Sequence, residues 1–109
     1  MKLLTTAIAI STVVVSAMGV ASAADSPGTT IFRSNCVICH SADGSGNTAL
    51  GKKYKVRDLK SPEVQKATDA ELSEVISKGK KPMPAFADRL KQDEIQQVVA
   101  YLRELGKKQ

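Results

Sequence analysis

The stretch SNCVICHSADGSGN, Ser34 to Asn47, holds both cysteines and the only histidine of a 109-residue chain, with Cys36, Cys39 and His40 inside five consecutive positions. On its N-terminal side a short amphipathic piece, Gly28 to Ser34, leads directly into Cys36. On its C-terminal side Gly44 and Gly46, set among Asp43, Ser45 and Asn47, mark a turn-rich loop. Further along, Ser61 before Pro62 and Glu63 reads as a helix N-cap with proline in the first turn, starting a short helix to about Lys66. Thr68 and Glu71 have capping-box spacing, Leu72, Val75 and Ile76 form one apolar stripe, and Gly79 stands where a C-cap belongs. This predicts a helix over Asp69–Lys78. The longest element follows, with Ile95, Val98, Val99, Leu102 and Leu105 at helical spacing and Gly106 after them. No segment alternates as a strand does, and there is no repeat or low-complexity tract. The expected fold class is all-α, with three to five short helices joined by loops.

The first 24 residues read differently. Lys2, an apolar run to Val20 and the small-residue pattern Ala21-Ser22-Ala23 suit a secretory signal peptide cleaved near Ala24. The competing reading is an uncleaved anchor, because Leu3 to Val20 approaches the length of a short span; the scattered Thr and Ser and the cleavage pattern argue against it. No cysteine lies near the cleavage site, which excludes a lipoprotein. The mature domain is then 25–109, with no second apolar run and no stable membrane insertion expected. Removing Lys2 leaves fifteen basic against eleven acidic residues, a net charge of +4. With four aromatic residues and about 85 residues in all, such a domain is short of core and needs a staple, whether disulfide, metal or cofactor.

Several chemistries use a Cys-x-x-Cys pair. A redox dithiol normally sits at the end of a strand in a βαβ unit, and no strand is expected here. Tetrahedral zinc requires four ligands, and beyond the two cysteines the chain offers one histidine. A Cys36–Cys39 disulfide is compatible with export, but it closes too small a loop to stabilise much and leaves His40 unexplained. Cys-x-x-Cys-His on a helical turn uses all three residues. Both sulfurs form thioethers to the vinyl groups of one haem, and the adjacent imidazole is the proximal iron ligand. For the sixth iron position, Met83 is the only thioether after residue 24, held in GKKPMPAF between Pro82 and Pro84, where no helical core calls for it. A lysine from Lys78, Lys80 or Lys81 is the alternative ligand.

The ordered segments GTTIFRSNCVICH, TDAELSEVISKG, KPMPAF and EIQQVVAYLREL resemble the class I c-type cytochromes, especially the small soluble bacterial monohaem electron carriers. The resemblance spans essentially the whole mature chain. It implies the cytochrome c fold around one covalently bound haem c, with the first and last helices crossing at Gly28, Phe32, Val98 and Tyr101. It also sets expectations this chain departs from. The family often has a proline in the loop after the haem motif, near the carbonyl that fixes the proximal imidazole; here NTALGKKY stands there, so the partner of His40 is left open, with the carbonyls of Ala49 and Leu50 as candidates. The final helix commonly starts with Ser or Thr after a leucine, whereas Leu90 is followed by Lys91, which predicts a weaker cap.

Coordination by His40 and Met83 leaves no open iron position, so the expectation is a periplasmic one-electron carrier and not an enzyme. The runner-up is a haem c subunit bound permanently to a larger dehydrogenase or oxidase. Lys52, Lys53, Lys55, Arg57 and Lys60, with Lys78, Lys80 and Lys81 before the methionine, suggest steering of redox partner proteins with acidic docking faces, if they are more than a solvated surface. Nucleic acid is not expected as a partner, because the basic stretch lacks aromatic interleaving beyond Tyr54. A monomer is expected.

Overall fold

The computed structural model describes residues 9–10, 13–14 and 26–108. The signal-like segment therefore lies almost wholly outside the described residues, as does its cleavage site. Among the described residues there are six helical segments and no strand: α1 (Pro27–Asn35), α2 (Val37–His40), α3 (Ala49–Lys53), α4 (Pro62–Gln65), α5 (Asp69–Lys78) and α6 (Gln92–Gly106). The fold class is all-α as expected. The count exceeds five because the chain turns at Cys36, separating α2 from α1, and because the NTALGKKY loop contains the short α3. None of these described helices is long and apolar enough to cross a membrane.

Local signals explain most element ends. Pro27 opens α1, where its missing N–H is no loss. Thr68 and Glu71 form the reciprocal box of α5: Glu71 N–H donates to Thr68 Oγ1 at 3.1 Å and Thr68 N–H donates to Glu71 Oε2 at 2.8 Å. α5 ends at Gly79 with φ +73°, a conformation that costs glycine nothing. α6 begins with half a box, since Glu94 Oε1 accepts from Lys91 N–H at 3.0 Å while the lysine ammonium has no lone pair to offer in return. The weak cap expected at Lys91 is what its side chain provides.

The core lies between α1 and α6. Phe32, Ile95 and Val98 are its most buried large side chains, joined by Tyr101, Leu102 and Leu105 from α6 and by Ile76, Phe86 and Leu90. The Phe32 and Tyr101 rings meet at 5.1 Å, tilted by 56°, an aromatic pairing worth about 0.5–1.5 kcal/mol beyond its area. Gly28 lies against the Gln97 backbone, so the two helices touch main chain to main chain there.

One correction concerns the end of α6, which runs through Gly106 and is capped at Lys107. The bare Cα of Gly106 faces the Gln65 amide, where a β-carbon would collide. That amide belongs to a polar junction tying the α4–α5 connection to α6. Gln65 Nε2 donates to Leu59 O at 2.8 Å and Leu102 O at 3.0 Å, while Arg103 donates to Gln65 O at 2.8 Å and to Ala67 O. Arg103 also pairs with Asp69 at 2.8 Å, but the aspartate is three-quarters exposed and the pair is worth little. The carbonyl bonds, partly buried and charge-assisted, carry the energy. Arg103→Ala should therefore lower unfolding stability by about 2–3 kcal/mol, whereas Asp69→Asn should cost under about 1 kcal/mol. Equal denaturant midpoint shifts for the two variants would refute this division.

Candidate functional site

Three of the four candidate residues sit on one turn. Cys36 caps both α1 and α2, its N–H donating to Phe32 O at 2.9 Å. Cys39 and His40 end α2, and the chain then breaks at Ser41 with φ +66°. No disulfide joins Cys36 to Cys39, so both sulfurs are available for attachment. Before haem is attached, burial pushes the Cys36 thiol up to about 11. Burial also lowers the pKa of His40, which favours the neutral imidazole that ligates metals.

Met83, the fourth candidate, comes from the α5–α6 connection. Lys80 and Met83 exchange backbone hydrogen bonds, 3.1 Å from Lys80 N–H to Met83 O and 2.8 Å from Met83 N–H to Lys80 O. The loop is then pinned to α5, with Phe86 N–H on Ile76 O at 3.0 Å and Ala87 N–H on Ser77 O at 3.1 Å. Pro82 and Pro84 flank Met83 and remove two donors from a segment with no ladder to satisfy them.

These residues line one cavity of about 430 Å³, within the size range of small-molecule and cofactor sites. Cys36, Cys39, His40 and Met83 all line it. Phe32, Leu72, Ile76, Phe86, Val98 and Leu102 supply apolar surface, and Lys55, Arg57, Lys80 and Lys81 supply positive charge. The donor set suits haem c: two thiols, an imidazole and a thioether around an apolar cavity. His40 Nδ1 is buried without a hydrogen-bond partner, so the imidazole is not tied up in a protein network. Zinc fits badly, because among the described residues no three His, Cys, Asp or Glu side chains converge on a metal position.

Neither candidate carbonyl is bonded to the His40 ring. Leu50 O accepts from Tyr54 N–H at 2.9 Å inside α3, so helix formation has used it, and no bond joins the Ala49 carbonyl to Nδ1. The loop instead grips the backbone of the motif: Gly46 N–H donates to His40 O at 2.8 Å and Thr48 Oγ1 donates to Cys39 O at 3.0 Å. The Thr48 bond was not legible from spacing. An N-cap threonine before a short helix was its only available signal.

Comparison with known proteins points the same way as this geometry. Residues 23–102 match the family model described as cytochrome C oxidase, cbb3-type, subunit III. The cytochrome c6 of Nostoc sp. is 42% identical over 86 residues, covering 78% of this chain and 73% of the relative. The chain belongs to the class I c-type cytochromes. A solved c-type cytochrome, KustC0563, superposes with a TM-score of 0.67 at 29% identity, over 72% of this chain and 95% of the other. The cytochrome c subunit of the Corynebacterium diphtheriae bc1 complex is 32% identical over 77 residues, 70% of this chain, and this cytochrome spans only a quarter of that subunit's length. As a c-type cytochrome the protein carries covalently bound haem c and serves electron transfer, not enzymatic catalysis.

Proposed function

We propose that this cytochrome is an exported periplasmic electron carrier, released from a 1–24 signal peptide as a 25–109 domain. In this reading Cys36 and Cys39 hold haem c through two thioethers, with His40 and Met83 as the axial ligands. The observation that carries it is the convergence of all four side chains on one largely apolar cavity. When bound, haem c supplies a one-electron couple. The chain's own part is to exclude water with Phe32, Ile76, Phe86 and Val98, to hold neutral imidazole at His40, and to bring in a thioether on an anchored loop. His40 and Met83 would then leave the iron no open position, and thioether ligation with burial would raise the reduction potential. Intact mass of the periplasmic protein tests the reading: a chain starting near Asp25 plus one haem is expected, and loss of attachment in Cys36→Ala/Cys39→Ala. Haem retained in that double variant would overturn the attachment.

Electrons leave by the rim. Ile38 is 66% exposed and Tyr54 41% exposed, and both line the cavity mouth with Pro82 and Pro84. Lys55, Arg57, Lys80 and Lys81 accompany them. Lys78 adds less to such a field, since it pairs with Glu74 at 2.7 Å, and Arg57 is partly compensated by Glu63 at 3.3 Å. An apolar contact with positive charges beside it suits a redox partner with an acidic face. Bimolecular electron transfer to that partner should slow several-fold between low and physiological ionic strength, as screening shortens to about 8 Å. Stopped-flow rates that do not change with salt would remove electrostatic steering from the account. Retention in a larger complex through high-salt purification would instead assign a permanently bound subunit.

A further inference from the structure

A helix of four residues cannot hold its own orientation, and α2 ends on the two residues that matter most, Cys39 and His40. The carbonyls at a helix C-terminus have no partner within the helix. Here both are taken by the loop that follows. His40 O accepts from Gly46 N–H at 2.8 Å, and Cys39 O accepts from the Thr48 hydroxyl at 3.0 Å. The same hydroxyl accepts from Gly51 N–H at 2.9 Å, capping α3. Thr48 therefore uses its one donor on the haem-binding turn and an acceptor site on the next helix. The two helices meet closely: a β-carbon on Gly51 would collide with the carbonyl oxygens of Cys39 and Gly46. Meanwhile His40 Nδ1, buried and unbonded, receives no orientation from a partner of its own.

We infer that Thr48 is a positioning residue for His40: through its hydrogen bond to the Cys39 carbonyl it fixes the Cys39–His40 peptide, and with it the imidazole aimed into the cavity. The inference rests on the reading of His40 as an iron ligand. Ligand orientation is normally set by a hydrogen bond to the free ring nitrogen. In this chain the constraint enters one bond earlier, through the backbone that carries the ring. A peptide plane free to rock by a few degrees swings a ring attached to it, and the iron senses ring orientation and ligand strength.

Three substitutions separate the two bonds of Thr48. Thr48→Ser keeps donor and acceptor. Thr48→Asp keeps an acceptor to cap α3 but, as a carboxylate, has no proton to donate to Cys39 O. Thr48→Val keeps the shape and neither bond. Thr68→Ala removes a comparable cap from α5, where Glu71 N–H donates to Thr68 Oγ1 at 3.1 Å, and serves as the stability control. The readouts on haem-loaded protein are the electron paramagnetic resonance g-values of the ferric state, the reduction potential and the denaturant midpoint. The expected result is wild-type g-values and potential for Thr48→Ser, with both shifted in Thr48→Asp and Thr48→Val. Thr68→Ala should lower the midpoint and leave g-values and potential unchanged. Wild-type g-values and potential in Thr48→Asp or in Thr48→Val would overturn the role. A covalently attached haem whose spectrum is insensitive to His40→Ala would overturn the ligand reading itself, and is recognisable because it needs no change at Thr48.

Discussion

Met83→Ala is expected to abolish the weak red sulfur-to-iron band of the oxidised cytochrome and to lower its reduction potential by on the order of a few hundred millivolts, within the range over which axial ligands act. As the proposed ligand, the Met83 thioether would stabilise reduced iron, and the chain holds no other methionine after residue 24 to replace it. The fold should survive the change. Met83 is only partly buried, and its loop is pinned by the Phe86–Ile76 and Ala87–Ser77 backbone bonds whatever side chain it carries. A spectrum and potential equal to wild type would show that another residue binds the iron. Lys80 and Lys81 line the same cavity and are the first to examine by the same substitution.

Gly28→Val should have the largest effect on folding. A β-carbon at position 28 would fall on the Gln97 carbonyl group and within 3.1 Å of Tyr101 Cβ. The obstacle at Gln97 is main chain inside α6, which cannot rotate aside as a long side chain would. The helices must separate, and the Phe32–Tyr101 pair and the contacts of Val98 loosen together. Overpacking of side chains costs about 1–3 kcal/mol, and a clash between two backbones should reach or exceed the top of that range. Guanidinium or thermal midpoints of the haem-loaded variant would measure it, with Gly28→Ala showing a smaller loss of the same kind. A Gly28→Val protein with an unchanged midpoint would mean that α1 and α6 do not approach this closely.

Much of the fold was legible because its signals are local. The Thr68–Glu71 box and Gly79 marked both ends of α5, since caps are set by residues three or four apart. The periodic stripe of Ile95, Val98, Val99, Leu102 and Leu105 identified the buried face of α6, and all five are buried. Where local reading failed, a distant partner had intervened. Gly106 looked like a terminator, yet the helix continues through it, and the glycine instead leaves room for the Gln65 amide, some forty positions earlier, beside its Cα. Ala49 and Leu50 were the candidate carbonyls for His40, and here the outcome was local: neither is bonded to Nδ1, and the Leu50 carbonyl is used by the Tyr54 N–H at the end of α3.

By itself, then, the sequence determined the helical class and the covalent haem chemistry implied by its Cys-x-x-Cys-His spacing, and it singled out Met83 as the opposing ligand proposed above. Each follows from residue type, spacing or scarcity, which a linear chain displays in full. Only the tertiary structure decided that Gln65 and Arg103 lock the α4–α5 connection to α6, and that Thr48 grips the carbonyl before His40. Those bonds end on backbone carbonyls. Every residue has one, so the acceptor leaves no mark in the sequence, and only folding brings a particular donor within 3 Å of it.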